Sequence, residues 1–150
     1  MLTIGFGGHA RSGRLVGKWG IVDVADCVTA VTALTSPTSP SPIDPSRVVI
    51  TGGSAGGFTV LAALCASPNT FAAGTSSYGV SDLRKLTEDT HKFESRYLEK
   101  LVGGTVEEVP EVYKERSPVY NAGNIRSPLL VSRSFWCMVI MFDFIDGCVG

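Results

Sequence analysis

A three-layer α/β fold built on a mainly parallel sheet is what this 150-residue sequence predicts, on three observations. Helical and strand-like patterns alternate along the chain, the order expected when parallel strands are joined through helices. Charged residues make up 18% and hydrophobic ones 44%, a balance that suits a sheet buried under helices. A β-branched run, Val48-Val49-Ile50, passes directly through a glycine-rich corner into a helix-forming segment. At this length the chain has the size of one ordinary domain, enough to bury a core.

Residues Gly5 to Gly20 are rich in glycine and arginine and read as a loop. With no second ligand type nearby, His9 within it reads as a solvated loop residue. From Ile21 to Leu34 the apolar positions Ile21, Val24, Val28, Val31 and Leu34 recur at spacings of three or four, which predicts an amphipathic helix against the sheet. Asp23 and Asp26 near its start agree with the helix dipole. The run Ser36-Pro-Thr-Ser-Pro-Ser-Pro-Ile-Asp-Pro-Ser46 ends that helix, because its prolines remove donors and fix φ, and it reads as an exposed connection into the Val48 strand. After the corner, Phe58 to Ala66 is helix-forming and Ser67-Pro68-Asn69 makes a turn.

Phe71 to Gly79 is small and moderately apolar, suiting a second parallel strand under helices. A helical segment starts at Val80 to Leu83 with Ser81 as the expected N-cap. Asp82 to Lys100 carries most of the charge in the chain and reads as solvated helix surface. Thr105-Val-Glu-Glu108 has the form of a capping box, with Pro110 soon after restarting a short helix over Glu111 to Arg116. Ser127 to Ser132 is the last clear strand. Functional residues of such a sheet lie beyond the carboxyl ends of its strands.

The corner itself, Gly52-Gly53-Ser54-Ala55-Gly56-Gly57, is where chemistry is expected. Gly52-x-Ser54-x-Gly56 between a strand and a helix is the nucleophile elbow. Its spacing has a physical cause: the serine sits in a strained turn, and neighbours bearing a Cβ would clash as the helix crosses the strand. Gly53 and Gly57 extend that small-residue setting. The turn aims the first N–H groups of the helix, beginning with Ala55, at the place where an oxyanion forms. A phosphate loop is excluded, because no Lys-Ser or Lys-Thr pair follows the glycines.

The net charge of −1 makes no electrostatic case for nucleic acid or an anionic membrane as partner. Cys27, Cys65, Cys137 and Cys148 are widely spaced and hold no Cys-x-x-Cys pair, so no metal site is expected, and Cys27 and Cys65 read as inert core residues. The N-terminus lacks the pattern of a signal peptide, and the longest apolar run, Phe135 to Phe142, is too short to span a bilayer. These features point to a soluble, cytoplasmic protein.

Several blocks in order resemble the catalytic domain of prolyl oligopeptidase-family serine peptidases, in particular the acylaminoacyl-peptidase-like or dipeptidyl-aminopeptidase-like branch. They are Gly17-Lys-Trp-Gly-Ile-Val-Asp-Val-Ala-Asp-Cys27, Asp44-Pro-Ser-Arg-Val-Val-Ile-Thr-Gly-Gly-Ser-Ala-Gly-Gly57, Tyr78-Gly-Val-Ser-Asp-Leu83, Asp89-Thr-His-Lys-Phe-Glu-Ser-Arg-Tyr-Leu98, Glu115-Arg-Ser-Pro118 and Pro128-Leu-Leu-Val131. The resemblance implies a partial α/β-hydrolase fold, hydrolysis of a peptide or acyl-peptide substrate, and no cofactor. By position it makes Ser54 the nucleophile and the Ala55 N–H one oxyanion donor.

The departures are as informative. In this fold the triad order is serine, acid, histidine. The family's aspartate is expected shortly after the Pro128–Val131 strand, where this sequence reads Ser132-Arg-Ser-Phe-Trp-Cys-Met-Val-Ile-Met-Phe142, with Cys137 at the aspartate position. Asp143 and Asp146 come later, and no histidine follows them. His91 falls on the family's Asp-Thr-His-Lys-Phe-Glu block and reads as architecture, and Asp82 reads as a helix N-terminal residue before it reads as a stray acid. No triad Asp or His is therefore identified. The expectation is a C-terminally truncated hydrolase domain over residues 1–133 with a divergent apolar tail over 134–150. An open sheet edge and that tail leave self-association as a route. Alternatives are an esterase-like hydrolase and a non-catalytic binding fragment.

Overall fold

The computed structural model describes residues 2–3, 13–89, 92–132 and 139–142. His9, His91, Cys137, Cys148, Asp143 and Asp146 lie outside them. Among the described residues one sheet holds β1 (Leu2–Thr3), β2 (Val49–Gly53), β3 (Ala73–Ser77), β4 (Leu129–Ser132) and β5 (Val139–Phe142), side by side in chain order. Neighbours from β1 to β4 run parallel, and β5 runs antiparallel to β4. The α/β class and the mainly parallel sheet are those expected. The helices are α1 (Val22–Thr35), α2 (Ala55–Ala66), α3 (Leu83–Asp89), α4 (Lys92–Val102), α5 (Pro110–Arg116) and the single turn α6 (Pro118–Asn121). No helix among the described residues is long and apolar enough to cross a membrane.

Register sets the working edge. Gly53 pairs with Ser77 and Ser77 with Ser132, so β2, β3 and β4 finish level with one another at their carboxyl ends. Helix α2 leaves that edge and runs back along β2 and β3. Behind it lie two buried clusters. In one, Val24, Cys27 and Val31 of α1 and Val60, Leu61, Ala63, Leu64 and Cys65 of α2 cover Ile50 and Leu129 of the sheet. In the other, Phe58 of α2 gathers Leu15, Trp19, Leu83, Leu98, Leu101, Val102 and Tyr113. At roughly 1.5–3 kcal/mol per fully buried large apolar side chain, these clusters dominate the folding free energy.

Several boundaries differ from those expected, each for a local reason. Helix α2 begins at Ala55, three residues before Phe58, since the chain turns helical immediately after Ser54. On α1 the expected apolar stripe holds only in the middle: Ile21 just before the helix and Leu34 near its end are 50% and 41% exposed. The cap of α3 is Asp82 rather than Ser81; its Oδ1 accepts from the N–H groups of Arg84 at 2.9 Å and Lys85 at 3.4 Å. A carboxylate at a helix N-terminus answers both the orphan donors and the dipole.

The Thr105–Glu108 box does close, with the Thr105 N–H on Glu108 Oε2 at 2.9 Å and the Glu108 N–H on Thr105 Oγ1 at 3.2 Å, but it closes a turn before α5 and no helix of its own. Ser127–Ser132 is not the last strand. Four residues of the apolar run, Val139–Phe142, add to the side of β4 that was expected to stay open. An unpaired row of N–H and C=O groups is a strong template for such pairing.

Candidate active site

Ser54 stands between β2 and α2 with φ 54° and ψ −121°, one of two non-glycine residues at positive φ among the described residues. Such a conformation costs about 1–3 kcal/mol at a non-glycine residue and persists only where the surroundings hold it. Two main-chain bonds do so: the Ser54 N–H donates to the Ser77 carbonyl at 3.0 Å, and the Ser54 carbonyl accepts from the Phe58 N–H at 3.1 Å. The side chain is exposed at the carboxyl edge of the sheet. The N–H of Ala55, in the first turn of α2, has no intrahelical acceptor and lies at the positive end of the helix.

The glycines permit the close crossing. A Cβ on Gly52 would stand 2.5 Å from the Gly56 carbonyl oxygen, and one on Gly57 would stand 2.6 Å from Cα of Gly79 and 2.9 Å from Oγ of Ser76. Backbone therefore meets backbone where the elbow passes the end of β3. Gly53 lies against the ring of Tyr78, itself at φ 41° and half exposed beside the corner. Ser76, fully buried, is satisfied by donating to the Gly57 carbonyl at 3.1 Å.

The corner is braced from behind by residues whose tertiary role the sequence does not show, among them Asp23, expected only to complement its own helix dipole. The Asp23 carboxylate accepts from Thr59 Oγ1 at 2.6 Å and from the Gly20 N–H at 2.7 Å, tying α1 and the preceding loop to the first turns of α2. Thr59 also reaches the Ala55 carbonyl at 3.3 Å. The Trp19 ring packs on Phe58 with centroids 4.5 Å apart. The Arg116 guanidinium donates to the carbonyls of Gly17 at 3.1 Å, and of Trp19 and Val102 at 3.2 Å each. Burial lowers its pKa from the ordinary arginine value while the Glu115 and Asp23 carboxylates oppose that, and the group stays charged. Buried Ser117 donates to the Tyr113 carbonyl at 2.6 Å and accepts from the Leu83 N–H at 2.9 Å. The only advance signal for these braces was that Trp19, Asp23, Arg116 and Ser117 fall in the blocks that carried the family resemblance.

Other candidates separate from the corner. Asp82 is occupied in capping α3, and its second oxygen accepts from Tyr120 Oη at 3.4 Å. Cys27 and Cys65 are buried, and burial pushes both thiols up to about 11, so neither is a nucleophile near neutral pH. Among the described residues no cluster of three or more His, Cys, Asp or Glu side chains is placed to hold a metal ion. Among the described residues, too, no side chain hydrogen-bonds the Ser54 hydroxyl.

The arrangement of elbow, parallel sheet and backing helix has close counterparts. The sequence model of the prolyl oligopeptidase family matches residues 6–136. This chain belongs to the prolyl oligopeptidase family. Over 91 residues it is 33% identical to dipeptidyl peptidase family member 6 of Caenorhabditis elegans, an alignment that takes in 57% of this chain and 12% of that protein. Its structure superposes on a Mycobacterium tuberculosis puromycin-hydrolyzing peptidase with a TM-score of 0.71 and 43% identity, covering 79% of this chain and 17% of the other. Acylaminoacyl peptidase of Pyrococcus horikoshii aligns with a TM-score of 0.66 and 29% identity over 79% of this chain and 19% of its own. The chain thus spans under a fifth of the length of these relatives, all of them peptidases by name, and the fold they share with it is the α/β-hydrolase fold.

Proposed function

We propose that Ser54 is the nucleophile of a serine peptidase, with the Ala55 N–H as one of its oxyanion donors. Ser54 Oγ attacks the carbonyl carbon of a peptide bond, and the electron pair moves to the carbonyl oxygen, facing the N-terminus of α2. Collapse expels the amine and leaves an acyl-enzyme that water hydrolyses. Peptides and acyl-peptides are the substrate class, in keeping with structural relatives that are peptidases, one of them puromycin-hydrolyzing. The observation that carries this reading is the positive φ of Ser54, which holds an exposed hydroxyl above the sheet edge with a helix N-terminus behind it.

The proton of that hydroxyl needs a base, and the base needs a carboxylate to orient it. With none seated on Ser54 among the described residues, the chain by itself is proposed to turn over negligibly, since loss of the base and acid lowers kcat by about 10⁶. An esterase-like activity is favoured over peptide hydrolysis in that state, because activated esters need no protonation of the leaving group.

Two measurements on the folded chain test both parts. A fluorophosphonate probe should leave Ser54 unlabelled, and rapid labelling would overturn the proposed inactivity. Adding imidazole as an external base should then restore acylation by a p-nitrophenyl ester, located at Ser54 by peptide mass spectrometry and absent in Ser54→Ala. Acylation elsewhere, or none, would overturn the nucleophile assignment.

A further inference from the structure

We propose that the connection between α1 and β2 is a phosphorylation site for a proline-directed protein kinase, with Ser41 as the acceptor. Six of the eight prolines in the chain follow a serine, at Ser36, Ser39, Ser41, Ser67, Ser117 and Ser127. The structure divides these six by what their hydroxyls are doing. Ser117 is fully buried between Tyr113 and Leu83, and the Ser127 hydroxyl donates to the Phe71 carbonyl. Ser67 is the half-buried C-cap of α2. Ser36 shares a hydrogen bond with Thr38, and Ser39 is half-buried. Ser41 is exposed, lies between two exposed prolines, and has no hydrogen-bond partner among the described residues.

The backbone there is equally free. A turn closes from the Ser39 N–H to the Ser36 carbonyl at 2.9 Å, and the loop is pinned again where the Ile43 N–H meets the Leu34 carbonyl at 3.0 Å. Between these ties Pro40, Ser41 and Pro42 make no main-chain hydrogen bond among the described residues, so a kinase cleft meets them without breaking structure.

The chemistry of the flanks selects the enzyme class. Pro42 follows the acceptor and has no N–H, which excludes kinases that bind the donor of that residue. No lysine or arginine occurs from Trp19 to Ser46, so nothing recruits a kinase that reads upstream basic residues. Asp44, three residues on, already accepts from the Ser46 N–H at 2.9 Å and from Ser46 Oγ at 2.6 Å. In the transfer, Ser41 Oγ forms a bond to the γ-phosphorus of MgATP and the bond to the β-phosphate oxygen breaks. The hydroxyl proton passes to the kinase's aspartate and ADP leaves.

The test incubates the native full chain with MgATP and, separately, a mitogen-activated, a cyclic-nucleotide-dependent and an acidophilic casein-type kinase, mapping phosphate by peptide mass spectrometry. The expected result is phosphate on Ser41 with the first kinase alone, lost in Ser41→Ala and kept in Ser41→Thr. No phosphate in the native chain, phosphate confined to Ser67, Ser117 or Ser127, or Ser41 modified equally by either other kinase would overturn the proposal.

Discussion

The two ends of helix α2 do opposite jobs by opposite physics. At its N-terminal end Gly56, Gly57, Phe58 and Thr59 are all buried, and beside the packing of Phe58 on Trp19 the backbone is held by close glycine contacts and a few directed bonds. Gly57 rests on Gly79, Thr59 is tied to Asp23, and Ser54 is pinned to Ser77 in a strained turn. At the C-terminal end Val60, Leu61, Ala63, Leu64 and Cys65 pack against α1 and the sheet, and their side-chain polar tie to the rest of the fold among the described residues is the long contact from Cys65 Sγ to the Pro118 carbonyl at 3.8 Å. One end is shaped for geometry and the other for burial. Changes at the first are expected to act on the Ser54 hydroxyl, and changes at the second on stability.

Leu64→Ala should break the burial end hardest. Leu64 is fully buried in the α1–sheet cluster, and its truncation is expected to cost about 2–5 kcal/mol in urea unfolding. Imidazole-assisted acylation of Ser54 should survive at temperatures where the variant stays folded. Gly57→Ala should cost about 1–3 kcal/mol, since its Cβ would stand 2.6 Å from the Gly79 backbone, which has to move to admit it. It should nevertheless abolish that acylation, because the shift moves the first turn of α2. Equal loss of acylation in both variants would erase the distinction between the ends.

Thr59→Val removes the 2.6 Å bond to Asp23 and should destabilise by about 1–2 kcal/mol, read as a lower melting temperature, with slower acylation at Ser54. Ser54→Gly should do the reverse for stability. Relieving a positive φ at a non-glycine residue is expected to raise the melting temperature, by about 1 kcal/mol in free energy, while removing the acylation site.

An effect confined to alkaline pH belongs to the buried thiols of α1 and α2. Burial raises the pKa of Cys27 and Cys65 from 9.0 to about 11, so the folded state holds protons that the unfolded chain has lost. Their contribution is complete below pH 9 and disappears as pH rises through about 11, so stability should fall across that window. Urea midpoints between pH 8 and 11 should decline less steeply in Cys27→Ala/Cys65→Ala than in the parent chain.

Much of this was legible along the chain because its causes are local. A β-branched run, glycines on both sides of Ser54 and an apolar segment after them specify strand, corner and helix within a few residues of one another. The period of three and four over Val24, Val28 and Val31 likewise states which face of α1 is buried. The choice of Asp82 over Ser81 as a cap was local too, and was missed because either side chain satisfies the same orphan donors.

Other features depend on parts of the chain that sequence spacing does not relate. Arg116 is 97 residues from the Trp19 carbonyl it holds, and Thr59 is 36 residues from Asp23. Neither residue type at its position signals a brace, since an arginine at a helix end is ordinarily solvated. In sequence the strand Val139–Phe142 is part of a divergent apolar tail, because its pairing needs the side of β4, which exists only once the sheet has formed. By itself, then, the sequence determined the elbow and the alternation of strands and helices, since backbone conformation answers to near neighbours. Tertiary structure alone decided which distant groups hold that elbow still and which strand closes the sheet, since those bonds form only after the chain has been brought together.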